Sequence, residues 1–275
     1  MRNLKLIIIL AMISFGVQAQ PFGLKSISAA KTFQMHIYYG TGGKGAYVKY
    51  NGQQGFIALR LKSRTEQGKT SALKVTYVWD EVVEGKVTGT YKLSQQANLI
   101  SGASYLRLKD QKLFKLEQEK GLEDNSEKAS YLLHGVIISF SAGMDDKLTF
   151  RYPDKMIKTA LLTGFDSPEP QRKGTIADYN FDGYDDVAFS IPDAGMGVYR
   201  TFTIYLYNPV SKRFELLTAP DDPRAKCAGF CDVTLDKQHK WLITACRGGA
   251  NWWRNVYQYT NYKKLTWISS KTAVN

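Results

Sequence analysis

The sequence predicts an all-β protein built from two mainly antiparallel domains, and three observations carry that prediction. Short runs rich in Val, Tyr, Thr and Leu recur along the chain between Gly-bearing turns. Apolar and polar residues alternate with period two, as in Val87-Thr88-Gly89-Thr90-Tyr91. Helical periodicity is weak throughout, the best helix candidate being the short stretch near Asp154–Leu161. Many short strands with frequent turns fit a sandwich, a barrel or a small propeller.

Taken in chain order, the first element is an address. Residues 1–19 carry Arg2 and Lys5, then an apolar run from Leu6 to Phe15, then Val17-Gln18-Ala19. Positive charge, apolar core and small residues at −1 and −3 form a secretory signal peptide. The run is shorter than the roughly 20 residues that span a bilayer. No transmembrane segment is expected elsewhere. Cleavage before Gln20 leaves 256 of the 275 residues, and the expected location is periplasmic or secreted.

The first domain is expected over residues 20–160. Examples of its strands are Met35–Tyr39, Ala46–Tyr50, Phe56–Leu61, Leu73–Val83, Lys86–Leu93, Ser104–Leu108 and Leu113–Glu117. Glu84-Gly85 and Lys109-Asp110 sit where hairpin turns belong. Phe165–Lys173, with two Pro and few apolar groups, reads as a linker or a long turn. The second domain, residues 165–275, has strands at Val187–Ile191, Thr201–Tyr207, Phe214–Leu217, Trp241–Ala245, Val256–Tyr259 and Leu265–Ile268. Asn261–Lys264 reads as a further hairpin turn. No internal repeat is legible.

Charge narrows the partners. The formal net charge is +12, and residues 20–164 hold +8 of it against +2 for residues 165–275. Such a field suits an acidic partner, a cell-wall polymer or an anionic membrane face, and solvated lysines explain it as well. An exported protein seldom meets nucleic acid, so none is expected. Three His and three Cys exclude any scheme that needs a large His/Cys constellation.

One motif carries chemistry. Residues 178–186 read D-x-N-x-D-G-x-x-D. Side-chain oxygens at loop positions 1, 3, 5 and 9 and a carbonyl at position 7 suit calcium, and Gly at position 6 permits the sharp turn. The expected ligands are Asp178, Asn180, Asp182, the Tyr184 carbonyl and Asp186. Hard oxygen donors select calcium over transition metals. Position 12 is Phe189, not the Glu of an EF-hand, and a strand follows. The competing reading is an Asx-rich turn without metal.

The stretch TIADYNFDGYDDVAFS, Tyr205-Leu206-Tyr207-Asn208-Pro209, the run ITACRGGA at Ile243–Ala250 and the terminal Tyr257…Leu265 pattern occur together. Over roughly residues 165–275 the chain resembles calcium-binding periplasmic proteins related to bacterial lysozyme inhibitors. Some of these act as immunity proteins against secreted lysozyme-like effectors. The resemblance implies a small, twisted, propeller-like β domain that plugs a hydrolase cleft with a loop. Two Gly-bearing loops could serve, Asp193–Arg200 and Arg247–Arg254. Tyr199, Arg200, Arg247, Asn251 and Trp252 are the expected contact residues, since aromatic and cationic anchors dominate interfaces. Trp252 and Trp253 could equally cap a hydrophobic core.

Cys227, Cys231 and Cys246 are odd in number, and export favours a disulfide. Cys246 could pair with either of the others, leaving one thiol. Zinc held by these three and His239 has a suitable ligand count but no standard spacing. The Gly-rich run Gly40–Gly45 fails the phosphate-loop pattern and reads as a hairpin turn. Asp80, Glu81 and Glu84 could be paired carboxylates, but a solvated turn explains them. His36 and His134 read as strand residues with satisfied rings. No nucleophile signature is present. A non-enzymatic protein that binds and inhibits a cell-wall hydrolase is therefore expected. The alternative is a carbohydrate- or envelope-binding module using exposed aromatics.

Overall fold

A computed structural model describes residues 21–27, 32–69, 72–119, 128–165, 172–194 and 197–273. The expected signal peptide, 1–19, lies outside the described residues, as do Gly195 and Met196 of the first Gly-bearing loop. The described chain is all-β and antiparallel, as the sequence predicts. Twenty strands fall into a closed barrel and three further sheets.

The barrel comprises β1 (Phe22–Ser26), β2 (Gln34–Tyr38), β3 (Ala46–Tyr50), β4 (Ile57–Gln67), β5 (Lys74–Val83), β6 (Lys86–Gln96), β7 (Leu99–Arg107) and β8 (Lys112–Gln118). Each strand pairs with the next, and β1 pairs with β8 through Leu24 opposite Gln118, which closes the sheet and removes its edges. Alternation sends Tyr77 and Trp79 inward from β5 and Tyr91 and Leu93 inward from β6, and all four are buried. Burying each such side chain contributes about 1.5–3 kcal/mol. The hairpin turns at Glu84-Gly85 and Lys109-Asp110 form where expected.

Gly40–Gly45 is a turn between β2 and β3. Gly43 has φ +82°, and a Cβ there would meet the Tyr77 ring at 2.6 Å. Its carbonyl accepts the Trp79 Nε1–H at 2.8 Å, which pins the turn to the barrel interior.

Three four-stranded meanders follow. They are β9 (Lys128–Leu133), β10 (Val136–Ser141), β11 (Lys147–Arg151) and β12 (Ile157–Leu161); β13 (Lys173–Ala177), β14 (Asp186–Pro192), β15 (Arg200–Asn208) and β16 (Arg213–Leu216); and β17 (Thr234–Asp236), β18 (Trp241–Gly248), β19 (Asn251–Asn261) and β20 (Lys264–Ala273). A four-stranded meander is the unit from which propellers are built. The middle sheet is covered on both faces. Val187, Phe189 and Tyr205 share a core with Tyr131, Ile138 and Phe150 of the sheet before it. Ala188, Ile204 and Leu206 share another with Leu242, Tyr257 and Leu265 of the sheet after it. This explains why β14 is a continuous buried run rather than an alternating one. The first of these cores draws on residues up to Leu162 and on residues from Ile176 onward.

One expectation is corrected. Asp154–Leu161 is not a helix: Ile157–Leu161 is the edge strand β12, paired with β11 over Arg151 to Lys147. Cross-strand pairing overrides the weak local preference there. Of the expected linker Phe165–Lys173, residues 166–171 lie outside the described residues; beyond them Arg172 is buried and Lys173 opens β13.

Candidate functional site

The acidic loop joins β13 to β14. Its backbone closes on its own side chains. Asp178 Oδ1 accepts the Asp182 N–H at 3.1 Å and Oδ2 accepts that of Gly183 at 2.9 Å. Asn180 Oδ1 accepts the Asp182 N–H at 3.3 Å, and Asp182 Oδ1 accepts that of Tyr184 at 2.9 Å. Gly183 takes φ +92° at the sharp turn. Such Asx bonds are the local reason that Asp and Asn at these spacings fold into a loop.

Asp186 is placed differently from the other three. It is fully buried at the start of β14, and its oxygens accept the Tyr179 N–H at 2.8 Å and the Tyr207 N–H at 2.7 Å. Burial pushes its carboxyl up to about 7, against the lowering effect of those two N–H groups, with the charges of Asp182 and Asp178 adding to the rise. Among the described residues, no group of three or more His, Cys, Asp or Glu side chains converges closely enough to hold a metal as placed. The residue types nevertheless suit calcium. The donors are all oxygen, and a carboxylate oxygen that accepts one N–H has a second lone pair.

The loop is also a junction. Lys44, in the barrel's Gly-rich turn, reaches Asp185 Oδ1 at 2.5 Å. His134 Nε2 lies 2.7 Å from the Asp185 carbonyl, and its ring stacks on Tyr207 at 3.9 Å. His134 therefore sits in the β9–β10 turn, not in a strand as expected. Asn180 Nδ2 donates to the Tyr262 carbonyl in the β19–β20 turn at 3.1 Å. One loop thus ties the barrel, the sheet before it and the last sheet together. Lys44 and Asp185 stand 141 positions apart, so no local signal marked them as partners.

The second site lies at the disulfide. Cys227 and Cys246 are bonded, with Cα atoms 5.6 Å apart, and Cys231 is the free, buried thiol. This leaves no cysteine pair for zinc, and His239 stacks on Trp241 and bonds Asp236 instead. Burial raises the Cys231 thiol to about 11, with the Asp232 and Asp193 charges contributing.

Tyr199 and Trp253 pack against the three cysteines, so both Gly-bearing loops meet here. Arg200 is half-buried, and its guanidinium donates to the Ser190 side chain and carbonyl. Arg247 pairs across the hairpin with Trp252, and Gly248 with Asn251. Arg247 and Asn251 are exposed at that tip, while Trp252 is half-buried. Trp252 and Trp253 alternate to opposite faces. Sequence reasoning missed Arg254 and Lys271, which are exposed, like-charged and directly opposed across β19 and β20.

The carboxylates of the barrel do not form a facing pair. Asp80 points outward to Arg60 and Lys62 at 3.7 and 3.6 Å. Glu81 points inward and accepts hydroxyls from Thr88, Tyr91 and Tyr105 at 2.7, 3.1 and 2.9 Å. No protein-family model matches the chain, and no curated protein matches it.

Proposed function

We propose that this chain is an exported, calcium-stabilised binding protein that docks on a lysozyme-like cell-wall hydrolase and blocks it with a loop. The observation that carries this reading is the convergence of Asp193–Arg200 and the β18–β19 hairpin on one disulfide. A hairpin braced at Cys246 and packed through Trp253 presents Arg247, Asn251 and Trp252 with little ordering cost, which favours affinity. Arg200 and Tyr199 support that surface from behind rather than projecting from it. Asp178, Asn180, Asp182, Asp186 and the Tyr184 carbonyl hold calcium in this reading. The ion's part is to fix the junction loop between the barrel and the sheets. The N-terminal address, the disulfide and the resemblance agree on a periplasmic or secreted setting.

The test is peptidoglycan cleavage by a panel of purified lysozyme-like glycosidases, with and without the protein. Inhibition of at least one, lost in Arg247→Ala and Trp252→Ala at unchanged melting temperature, supports the reading. No inhibition together with retention on peptidoglycan favours a glycan-binding module instead.

A further inference from the structure

The outer face of the β9–β12 sheet carries a charged hollow that shares no lining residue with either site above. The strand register lays it out in rows. Lys128 lies beside Ser141, Ser139 lies between Ser130 and Thr149, and Ile137 lies beside Arg151. Thr159 continues the middle row on β12. Residues two apart on a strand share a face. Lys147, Thr149 and Arg151 therefore stand together, opposite the buried Leu148 and Phe150. Lys128, Ser139, Ser141, Lys147, Thr149 and Arg151 line a cavity of about 300 Å³.

Its charge is predominantly positive. The cations are exposed, and among the described residues none of Lys128, Lys147 and Arg151 has an ion-pair partner. One carboxylate, Asp145, also lines the hollow, and its Oδ1 accepts the Lys147 N–H at 3.0 Å. The hydroxyl row is partly ordered, with Ser130 Oγ 3.1 Å from Ser139 Oγ. Three cations against one carboxylate leave the hollow net positive, a field that a bound anion offsets. A forked guanidinium, two ammonium groups and hydroxyl donors match the several oxygens of a tetrahedral oxyanion.

We propose that this hollow binds a multiply charged oxyanion, a phosphoryl or sulfo group carried by a larger ligand. Arg151 supplies the fork, Lys128 and Lys147 the opposing charges, and Ser139 and Thr149 the hydroxyl donors. The site is independent of the disulfide end and does not rest on hydrolase binding.

The experiment titrates the full chain with inorganic phosphate and, separately, with sulfate, holding ionic strength constant with chloride. Calorimetry and amide chemical shifts are the readouts. Saturable binding of at least one oxyanion is expected, with shifts concentrated between residues 128 and 151. Tighter phosphate assigns a phosphoryl ligand, and tighter sulfate a sulfo ligand. Lys147→Gln and Arg151→Gln each weaken binding roughly tenfold, the scale of one charge-assisted hydrogen bond. Both keep the parent melting temperature, and Arg254→Gln on the last sheet binds like the parent. Shifts indistinguishable from those of chloride alone overturn the proposal. So do glutamine variants that bind like the parent, or an equal loss in Arg254→Gln.

Discussion

Asp186 accepts the backbone N–H of Tyr207 at 2.7 Å, from a position where the carboxylate is completely buried. Its other oxygen takes the Tyr179 N–H at 2.8 Å, so one side chain ties the loop entrance to the end of β15. Removing an acceptor strands buried donors, each costing about 1–3 kcal/mol. Asp186→Ala is expected to destabilise by about 3 kcal/mol in urea unfolding with chelator present, and by more with calcium, because the ion's contribution is lost as well. A loss under about 1 kcal/mol, or one that appears only with calcium present, shows that the tether is not what Asp186 supplies.

Asp182 gives the contrasting case. It is exposed, and its backbone bonds are local. With calcium at 100-fold over Kd, the folded state gains about 2.7 kcal/mol. Chelator should therefore lower the melting temperature of the parent, while Asp182→Ala should melt alike with and without it. A parent melt unmoved by chelator removes calcium from the account.

The Cys227–Cys246 bond spans 19 positions. A closed loop of that size stabilises by about 3 kcal/mol in the chain-entropy model. Cys246→Ser should lose that much. It should also expose the β18–β19 hairpin to proteolysis, because Tyr199 and Trp253 lose their packing partner. Limited proteolysis that is unchanged in the variant would show that the hairpin does not depend on the bond.

Cys231 supplies a pH test. Burial, with Asp232 and Asp193, raises its thiol from the ordinary 9.0 to about 11. The folded state then favours the protonated thiol. Its contribution to stability is complete below the unfolded value and is lost as pH rises through about 11. At pH 8 the folded protein holds roughly a hundredfold less thiolate than an ordinary thiol. Iodoacetamide labelling, followed by mass spectrometry, should be correspondingly slow until the protein unfolds. Rapid labelling of the native protein at pH 8 contradicts this placement.

Arg172 is the cation that the fold buries among the described residues. Its guanidinium donates to the carbonyls of Ser141, Gly143, Asp145 and Thr163 at 2.9–3.0 Å and pairs with Asp146. Arg172→Ala should cost about 3–5 kcal/mol, since those acceptors and one carboxylate are left unmatched. Arg172→Lys should recover only part, because an ammonium lacks the planar fork. Chemical denaturation of the two variants beside the parent decides it.

Much of the fold was legible. Ala46–Tyr50 matches β3 at both ends, and the turns at Glu84-Gly85 and Asn261–Lys264 form where period and turn chemistry put them. The strands missed were mostly β1, β9, β10, β11, β13 and β17. Of these, β9 is buried at three consecutive positions, Ala129, Ser130 and Tyr131, so its sequence does not need a clean alternation. The threefold recurrence of a four-stranded meander was not legible either. Its units share a pairing pattern without sharing residues, because backbone hydrogen bonds make the meander and side chains only choose its faces.

The sequence alone determined the all-β class and the acidic loop, because these rest on neighbours within about ten positions. Only the tertiary structure decided the closure of the barrel at Leu24 and Gln118, the pairing of Cys227 rather than Cys231 with Cys246, and the burial of Arg172. It likewise gave Asp186 a role apart from Asp178, Asn180 and Asp182. Tyr207, the donor that separates them, lies 21 positions away and arrives only when β15 pairs with β14. Local chemistry fixes which groups a chain carries. Long-range pairing fixes which of them meet and which lose their water.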